Sequence, residues 1–277
     1  MISVKDLHYS YGNKKVFSGL NLQASKGCIY GLLGKNGTGK TTFLYNLAGL
    51  LFPASGSIDV GGFTPSKRQP GFLQETFIVP EEFHLPDISI KNFIKYTSPF
   101  YPWFIEERFI EYLNEFGIPG NVNLQSLSFG QKKKVLISFA IAANTSLLLM
   151  DEPTNGLDIA GKSQFKKIIA GSFDEKKCII ISSHQVKDLE SLIDRVVIMD
   201  EGRIILNESI SRIGEKLCFK ISFDANEVAW SIYNEPLLRG HAVVAVNVDD
   251  DESKIDLEML YKATMANPNL IQSIFNS

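Results

Sequence analysis

GLLGKNGTGKTT, residues 31–42, decides how this chain is read. An apolar run over residues 28–33 enters it as a buried strand, and a helical pattern leaves it through Phe43, Leu44 and Leu47. Gly34, Gly39, Lys40 and Thr41 satisfy G-x-x-x-x-G-K-[ST], the spacing of a phosphate-binding P-loop. The glycines let backbone N–H groups of Gly34, Asn36, Gly37, Thr38 and Gly39 converge on one concavity, and the helix that follows adds its positive end. Lys40 is then expected to reach the β- and γ-phosphates of a nucleotide, Thr41 to hold Mg²⁺ through its hydroxyl, and Thr42 to join the phosphate contacts.

Outward from this stretch the chain alternates strands and helices. Residues 1–26 alternate apolar and polar positions around Gly12-Asn13, which predicts antiparallel strands. A short strand about Ile58 and Val60 follows. From about 82 to 125 Ile90, Phe93, Ile94, Phe104, Phe109, Ile110, Leu113 and Phe116 fall at helical spacings, punctuated by prolines. This predicts a helical insertion whose aromatic stripe serves packing. Helices are expected over 130–143, 159–170 and 186–192, strands over 147–150 and 178–181, and a hairpin through Asp200-Glu201-Gly202. The fold class is therefore α/β: a mostly parallel core sheet, an N-terminal antiparallel β subdomain, the helical insertion, and a small α+β appendage. Boundaries are expected at 1–207 for the nucleotide-binding unit, with its helical subdomain at about 82–145, and 208–277 for the appendage.

Composition restricts the function classes. With 44% hydrophobic and 21% charged residues and a net charge of −3, the chain reads as an ordinary soluble globule without a nucleic-acid-binding face. The short lysine clusters at 132–134, 166–167 and 176–177 read as solvated helix edges. Cys28, Cys178 and Cys218 share no C-x-x-C spacing and sit in apolar runs, as buried small hydrophobes of a reducing compartment do. Lys5 and Asp6 stand where a signal peptide needs apolar residues, and no apolar stretch is long enough to cross a bilayer. A cytoplasmic protein is expected, with any membrane-spanning part on other chains.

Three further stretches narrow the chemistry. LLLMDE, residues 147–152, is an apolar strand ending in two carboxylates. The end of a parallel strand beside a P-loop is where such a sheet gathers its ligand chemistry, so Asp151 is expected to hold Mg²⁺ through water and Glu152 to act as general base toward the attacking water. His184 also ends a strand, where it could donate to a γ-phosphate. Ser128 in LSFGQ, residues 127–131, is a good N-cap for a strong helix, whose first N–H groups offer an anion site. One P-loop already holds one nucleotide, so this second site points to the phosphates of another molecule's nucleotide.

In this order, the P-loop, LSFGQ, DEPTNGLD (residues 151–158) and His184 resemble the nucleotide-binding subunit of an ATP-binding cassette (ABC) transporter, over roughly residues 1–207. The resemblance implies a P-loop NTPase of the ABC ATPase type that uses ATP and Mg²⁺. Its copies, or a related subunit, would form a head-to-tail dimer, each ATP lying between one chain's P-loop and the other's Ser128, Gly130 and Gln131. It places Asp158 on the loop crossing the dimer seam and matches Tyr11 to the residue that stacks on adenine. Transmembrane permease subunits are the implied partners, with the chain peripheral on the inner face of the cell membrane. Two departures stand out. Phe129 replaces the usual glycine of the signature, and Glu81, after the short run Phe77-Ile-Val-Pro, stands at the place of the Q-loop glutamine, with Gln74 as the competing position. The segment IDLEMLY, residues 255–261, is similar to the tail of ATPases of ABC-2-type exporters, which favours export. A soluble ABC ATPase of translation or DNA repair is the alternative. Such proteins usually carry two cassettes or a coiled-coil insertion, and this chain has neither. A GTPase is excluded, because Asn13-Lys14 is followed by Lys15-Val16 and not by the guanine-reading Asn-Lys-x-Asp.

Overall fold

The computed structural model describes residues 1–248 and 253–276. Strands β1 (Ile2–Tyr11) and β2 (Lys14–Ala24) pair antiparallel about the expected turn. Strand β3 (Cys28–Leu33) runs into the P-loop and helix α1 (Lys40–Leu47), after which β4 (Ser55–Val60) returns to β1 and completes a sheet of order β2-β1-β4. A short helix α2 (Pro70–Gln74) leads to β5 (Thr76–Val79). The helical insertion comprises α3 (Ile90–Thr97) and α4 (Glu106–Glu115), packed on the long α5 (Phe129–Ala142). Then come β6 (Leu147–Asp151), α6 (Ile159–Ser172), β7 (Cys178–Ser183) and the hairpin of β8 (Arg195–Asp200) and β9 (Arg203–Ser209).

These strands form a six-stranded sheet in the order β5-β6-β7-β3-β8-β9, parallel except for β9. Its two faces follow from the period-2 alternation of side chains. Tyr30, Leu32, Leu147, Leu149, Cys178, Ile180, Val197 and Met199 join the N-terminal sheet and α1 in one core, while Ile29, Leu33, Leu148, Met150, Ile179, Ile181, Val196 and Ile198 join the helices in the other. Burial on both faces explains why these strands read as unbroken apolar runs. The aromatic stripe does serve packing: the Phe139 ring of α5 lies 5.2 Å from Phe93, 4.9 Å from Phe104 and 6.2 Å from Phe109. Each phenylalanine buried there contributes roughly 1.5–3 kcal/mol.

The C-terminal part holds α7 (Ile210–Lys216), β10 (Leu217–Ser222), α8 (Ala225–Trp230), β11 (Tyr233–Pro236), β12 (His241–Val246), α9 (Leu257–Ala266) and α10 (Pro268–Asn276). Its strands form an antiparallel sheet of order β10-β12-β11. Residues 249–252 and 277 of this region lie outside the described residues. Leu217, Val244, Leu260, Ile271 and Phe275 continue the helix-side core.

Three expectations need correction. The helix expected over 186–192 is a single 3-10 turn, Val186–Asp188, because Ser191 turns left-handed at φ 63° while Leu189 and Leu192 are buried. Cys178 and Cys218 are buried, but Cys28 is only half-buried. Lys133 and Lys177 are not solvated: both side chains are buried, and Lys177 Nζ donates to the Ser172 carbonyl at 3.0 Å. Three consecutive helical residues span some 200° of the circumference, and α5 is buried over most of its length, so Lys133 of this run faces inward.

Candidate functional site

The P-loop geometry depends on one glycine in particular. Gly39 caps α1 with φ 107° and ψ 7°, a left-handed conformation, and a Cβ there would come 2.7 Å from the Phe17 ring. The loop so formed opens on a cleft of about 480 Å³ lined by Asn36, Gly37, Thr38, Gly39, Lys40, Thr41 and Thr42, with Tyr11, Glu81 and Glu152. Gly34 lies outside it, on a smaller depression of about 260 Å³ shared with Asn36, His184 and Tyr261. Lys14, Lys15, Val16 and the Glu201-Gly202 turn also line the main cleft and have no motif that singles them out. Tyr11 is half-exposed, set edge-on to Tyr9 at 5.0 Å, with its hydroxyl 3.4 Å from Thr42 Oγ1. The Glu81 carboxylate reaches this cleft, whereas Gln74 lines a separate groove with Leu50, Leu73 and Phe100.

Lys40 is buried, and its Nζ donates to the carbonyls of Gly34 at 2.8 Å and Lys35 at 3.3 Å. It also stands 3.6 Å from Glu152 Oε1, while His184 Nδ1 stands 3.0 Å from Glu152 Oε2. Neither carboxylate oxygen of Glu152 has a donor aligned as a hydrogen bond, although the residue is 3% exposed. A buried carboxylate with free lone pairs, held between a lysine and a histidine and lining the P-loop cleft, is equipped to accept a proton from water.

Asp151 is fully buried at the end of β6; its Oδ1 accepts from Ser182 Oγ at 2.6 Å, and its Oδ2 has no partner. Among the described residues no group of three His, Cys, Asp or Glu could hold a metal by itself. The free Asp151 oxygen and the Thr41 hydroxyl fit the sparse donor set of Mg²⁺, which takes one or two protein oxygens and completes its shell with phosphate and water. Glu81, whose Oε1 accepts from Asn155 Nδ2 at 2.9 Å, is the further carboxylate on the cleft.

The signature segment lies elsewhere. Ser128 and Gln131 form a reciprocal capping box: Gln131 N donates to Ser128 Oγ at 3.3 Å, and Ser128 N donates to Gln131 Oε1 at 3.0 Å. Phe129 opens α5 with negative φ, so its N–H is presented as a glycine's would be. Its half-exposed ring stacks on Phe83 at 5.3 Å. Gly130 is needed for close approach, since a Cβ would come 2.6 Å from the Gly156 carbonyl. None of Ser128, Gly130 and Gln131 lines the P-loop cleft. Asp158 caps α6 by accepting from Gly161 N at 3.0 Å, with Lys134 Nζ 3.4 Å away. The Gly161 N–H first, and then Lys134, hold its carboxyl below the usual aspartate range.

The family model described as "ABC transporter" matches residues 17–155. The lantibiotic transport ATP-binding protein SrtF of Streptococcus pyogenes is 32% identical over 212 residues, covering 75% of this chain and 90% of that protein. The linearmycin resistance ATP-binding protein LnrL of Bacillus subtilis is 28% identical over 267 residues, 93% of this chain and 85% of LnrL, so the similarity continues through the C-terminal part. Among solved structures, the dimeric post-hydrolysis state of the ATP-binding cassette MJ0796, bound to ADP and Pi, superposes with a TM-score of 0.66 at 20% identity, over 76% of this chain and 99% of that one.

Proposed function

Because this chain belongs to the ABC transporter family, as an ATP-binding and ATP-hydrolysing subunit, we propose that two copies close head-to-tail on two ATP molecules and open again on hydrolysis, driving membrane-spanning partner subunits. One observation carries the reading. The chain has two anion-binding elements, the P-loop and the start of α5, and only the first lines its own cleft. A second copy is the natural source of the missing half. The cassette of MJ0796, of the same fold, is described as dimeric.

Tyr11 stacks on adenine at the cleft mouth, and the P-loop N–H groups with Lys40 hold the phosphates. Asp151, through water, with Thr41 and Glu81, would hold Mg²⁺, which when bound neutralises charge on the β- and γ-phosphate oxygens. Glu152 accepts a proton from the water that attacks the γ-phosphorus. His184 keeps Glu152 oriented through their 3.0 Å contact and donates to the γ-phosphate. Ser128, Gly130 and Gln131 of the second copy close over the same phosphate, with Asp158 on the loop at the seam. The cassette proper is residues 1–207, with its helical subdomain at about 82–145, and 208–277 form an accessory region. No helix of the described residues is long and apolar enough to cross a membrane. A place on the inner face of the cell membrane, docked to permease subunits, follows from the family. Export is the favoured direction, because LnrL, a resistance protein by name, matches nearly the whole chain.

Complementation tests the arrangement. Lys40→Ala disables a P-loop and Ser128→Arg disables a signature, so each variant alone is expected to hydrolyse ATP at background rate. A mixture contains heterodimers with one intact site, formed from the P-loop of the Ser128→Arg chain and the signature of the Lys40→Ala chain. Hydrolysis is expected to reappear on mixing and to rise with the fraction of heterodimer. A mixture as inactive as its components would contradict the shared site.

A further inference from the structure

Lys133 is fully buried on α5. Its hydrogen-bond partners, like that of Lys177, are carbonyls and not a carboxylate. Nζ donates to the Glu152 carbonyl at 2.8 Å and to the Asn155 carbonyl at 3.2 Å, and it lies 5.7 Å from the centre of the Phe129 ring. Burial pulls this ammonium's pKa down, while the charges of Glu81, Asp151 and Glu152 push it back up.

What the two carbonyls belong to gives the lysine its meaning. Glu152 sits at φ 45°, a left-handed conformation that a non-glycine residue keeps only where its surroundings enforce it. Two contacts enforce it. Ser182 Oγ accepts from Glu152 N at 3.0 Å on one side, and Lys133 holds Glu152 O on the other. The Ser182 clamp comes from β7, whereas the Lys133 clamp comes from α5, two residues past the signature. The same lysine fixes Asn155, whose side chain donates to Glu81 at 2.9 Å.

We propose that Lys133 is a positioning residue: it fixes the backbone of Glu152 from the signature helix and thereby ties each site's base to the helix end that serves the other ATP. The inference rests on the dimeric reading above and on Glu152 as the base. A shift of α5 as its N-terminus closes on a phosphate across the seam moves the Glu152 carbonyl with it. The base is then set when the opposite site is filled. Phe129 strengthens the link, since it stacks on Phe83 two residues beyond Glu81 and so joins the Glu81 loop to the same helix end.

Lys133→Met keeps the side chain as far as Cε and removes its donors. Its kcat for ATP is expected to fall about 10–100-fold, the scale of a catalytic group displaced by an ångström or so, while ATP affinity stays within about twofold. The Hill coefficient for ATP should fall toward one, and Lys133→Arg should recover most of the rate. Lys133→Gln, with a shorter neutral donor, covers the case in which the methionine variant does not fold; it should lose at least about tenfold in kcat at unchanged affinity. Wild-type kcat in either variant overturns the inference. So does a parallel loss of rate, ATP affinity and melting temperature that Lys133→Arg does not rescue, which would make the lysine purely structural. Glu152→Gln, measured alongside, separates the two levels. Slow turnover there with a normal Lys133→Met defeats the Lys133 inference alone, and normal turnover in Glu152→Gln removes the base and this inference with it.

Discussion

Glu152→Gln is expected to slow ATP turnover by roughly 10²–10⁴-fold and to leave ATP bound, because a positioned general base is worth about that much and takes little part in ground-state binding. The substitution is nearly isosteric. It keeps the left-handed backbone between Ser182 and Lys133, so the change falls on proton acceptance alone. The carboxylate has two oxygens without an aligned donor and lies against His184 and Lys40, and an amide in its place cannot take the proton of the attacking water. Single-turnover hydrolysis together with equilibrium ATP binding separates the effects. A rate within a few-fold of wild type would take Glu152 out of the chemistry.

The second large effect is expected at Lys40. Lys40→Ala should weaken ATP binding on the order of 10²-fold, about 3 kcal/mol, the scale of a lost charge-assisted contact in a desolvated site. It should also lower stability in the absence of nucleotide. Lys40 and Glu152 are both buried and 3.6 Å apart, so removing the cation leaves the buried carboxylate without its nearest lysine. Breaking such a pair costs about 3 kcal/mol. Neutralising the carboxylate as well should recover part of that loss, so the Lys40→Ala/Glu152→Gln double variant is expected to melt above Lys40→Ala alone. Chemical denaturation of the four proteins measures this coupling, and strict additivity would show that the two side chains do not interact.

Much of this was legible in the sequence because local chemistry and fold agree there. The P-loop needs glycine where the backbone is left-handed, and Gly39 is left-handed. A parallel strand buried on both faces must be apolar throughout, so β3, β6 and β7 announced themselves, and the residues at their ends came with them. Counting from a short apolar strand singles out Glu81, and Glu81 lines the cleft. Lys133 was invisible for a physical reason: in a run of three lysines nothing in the sequence says which one the helix turns inward, and its partners are backbone atoms with no residue signature. The cleft walls at Lys14, Lys15 and Glu201 come from hairpins whose placement depends on sheet packing. Helices α7, α8 and α10 have nine residues or fewer and no motif beside them, although Ser209 and Asp224 do cap the first two.

In this mechanism one ATP is gripped by two chains. Sedimentation of the Glu152→Gln protein with ATP and Mg²⁺ tests that most directly, since bound ATP is not consumed. The expected result is a species of twice the 30.9 kDa chain mass that returns to monomer when nucleotide is removed, and that does not form when Ser128→Arg is added to the same chain. A protein that binds the nucleotide and stays monomeric, alone and on its membrane partner, would contradict the account.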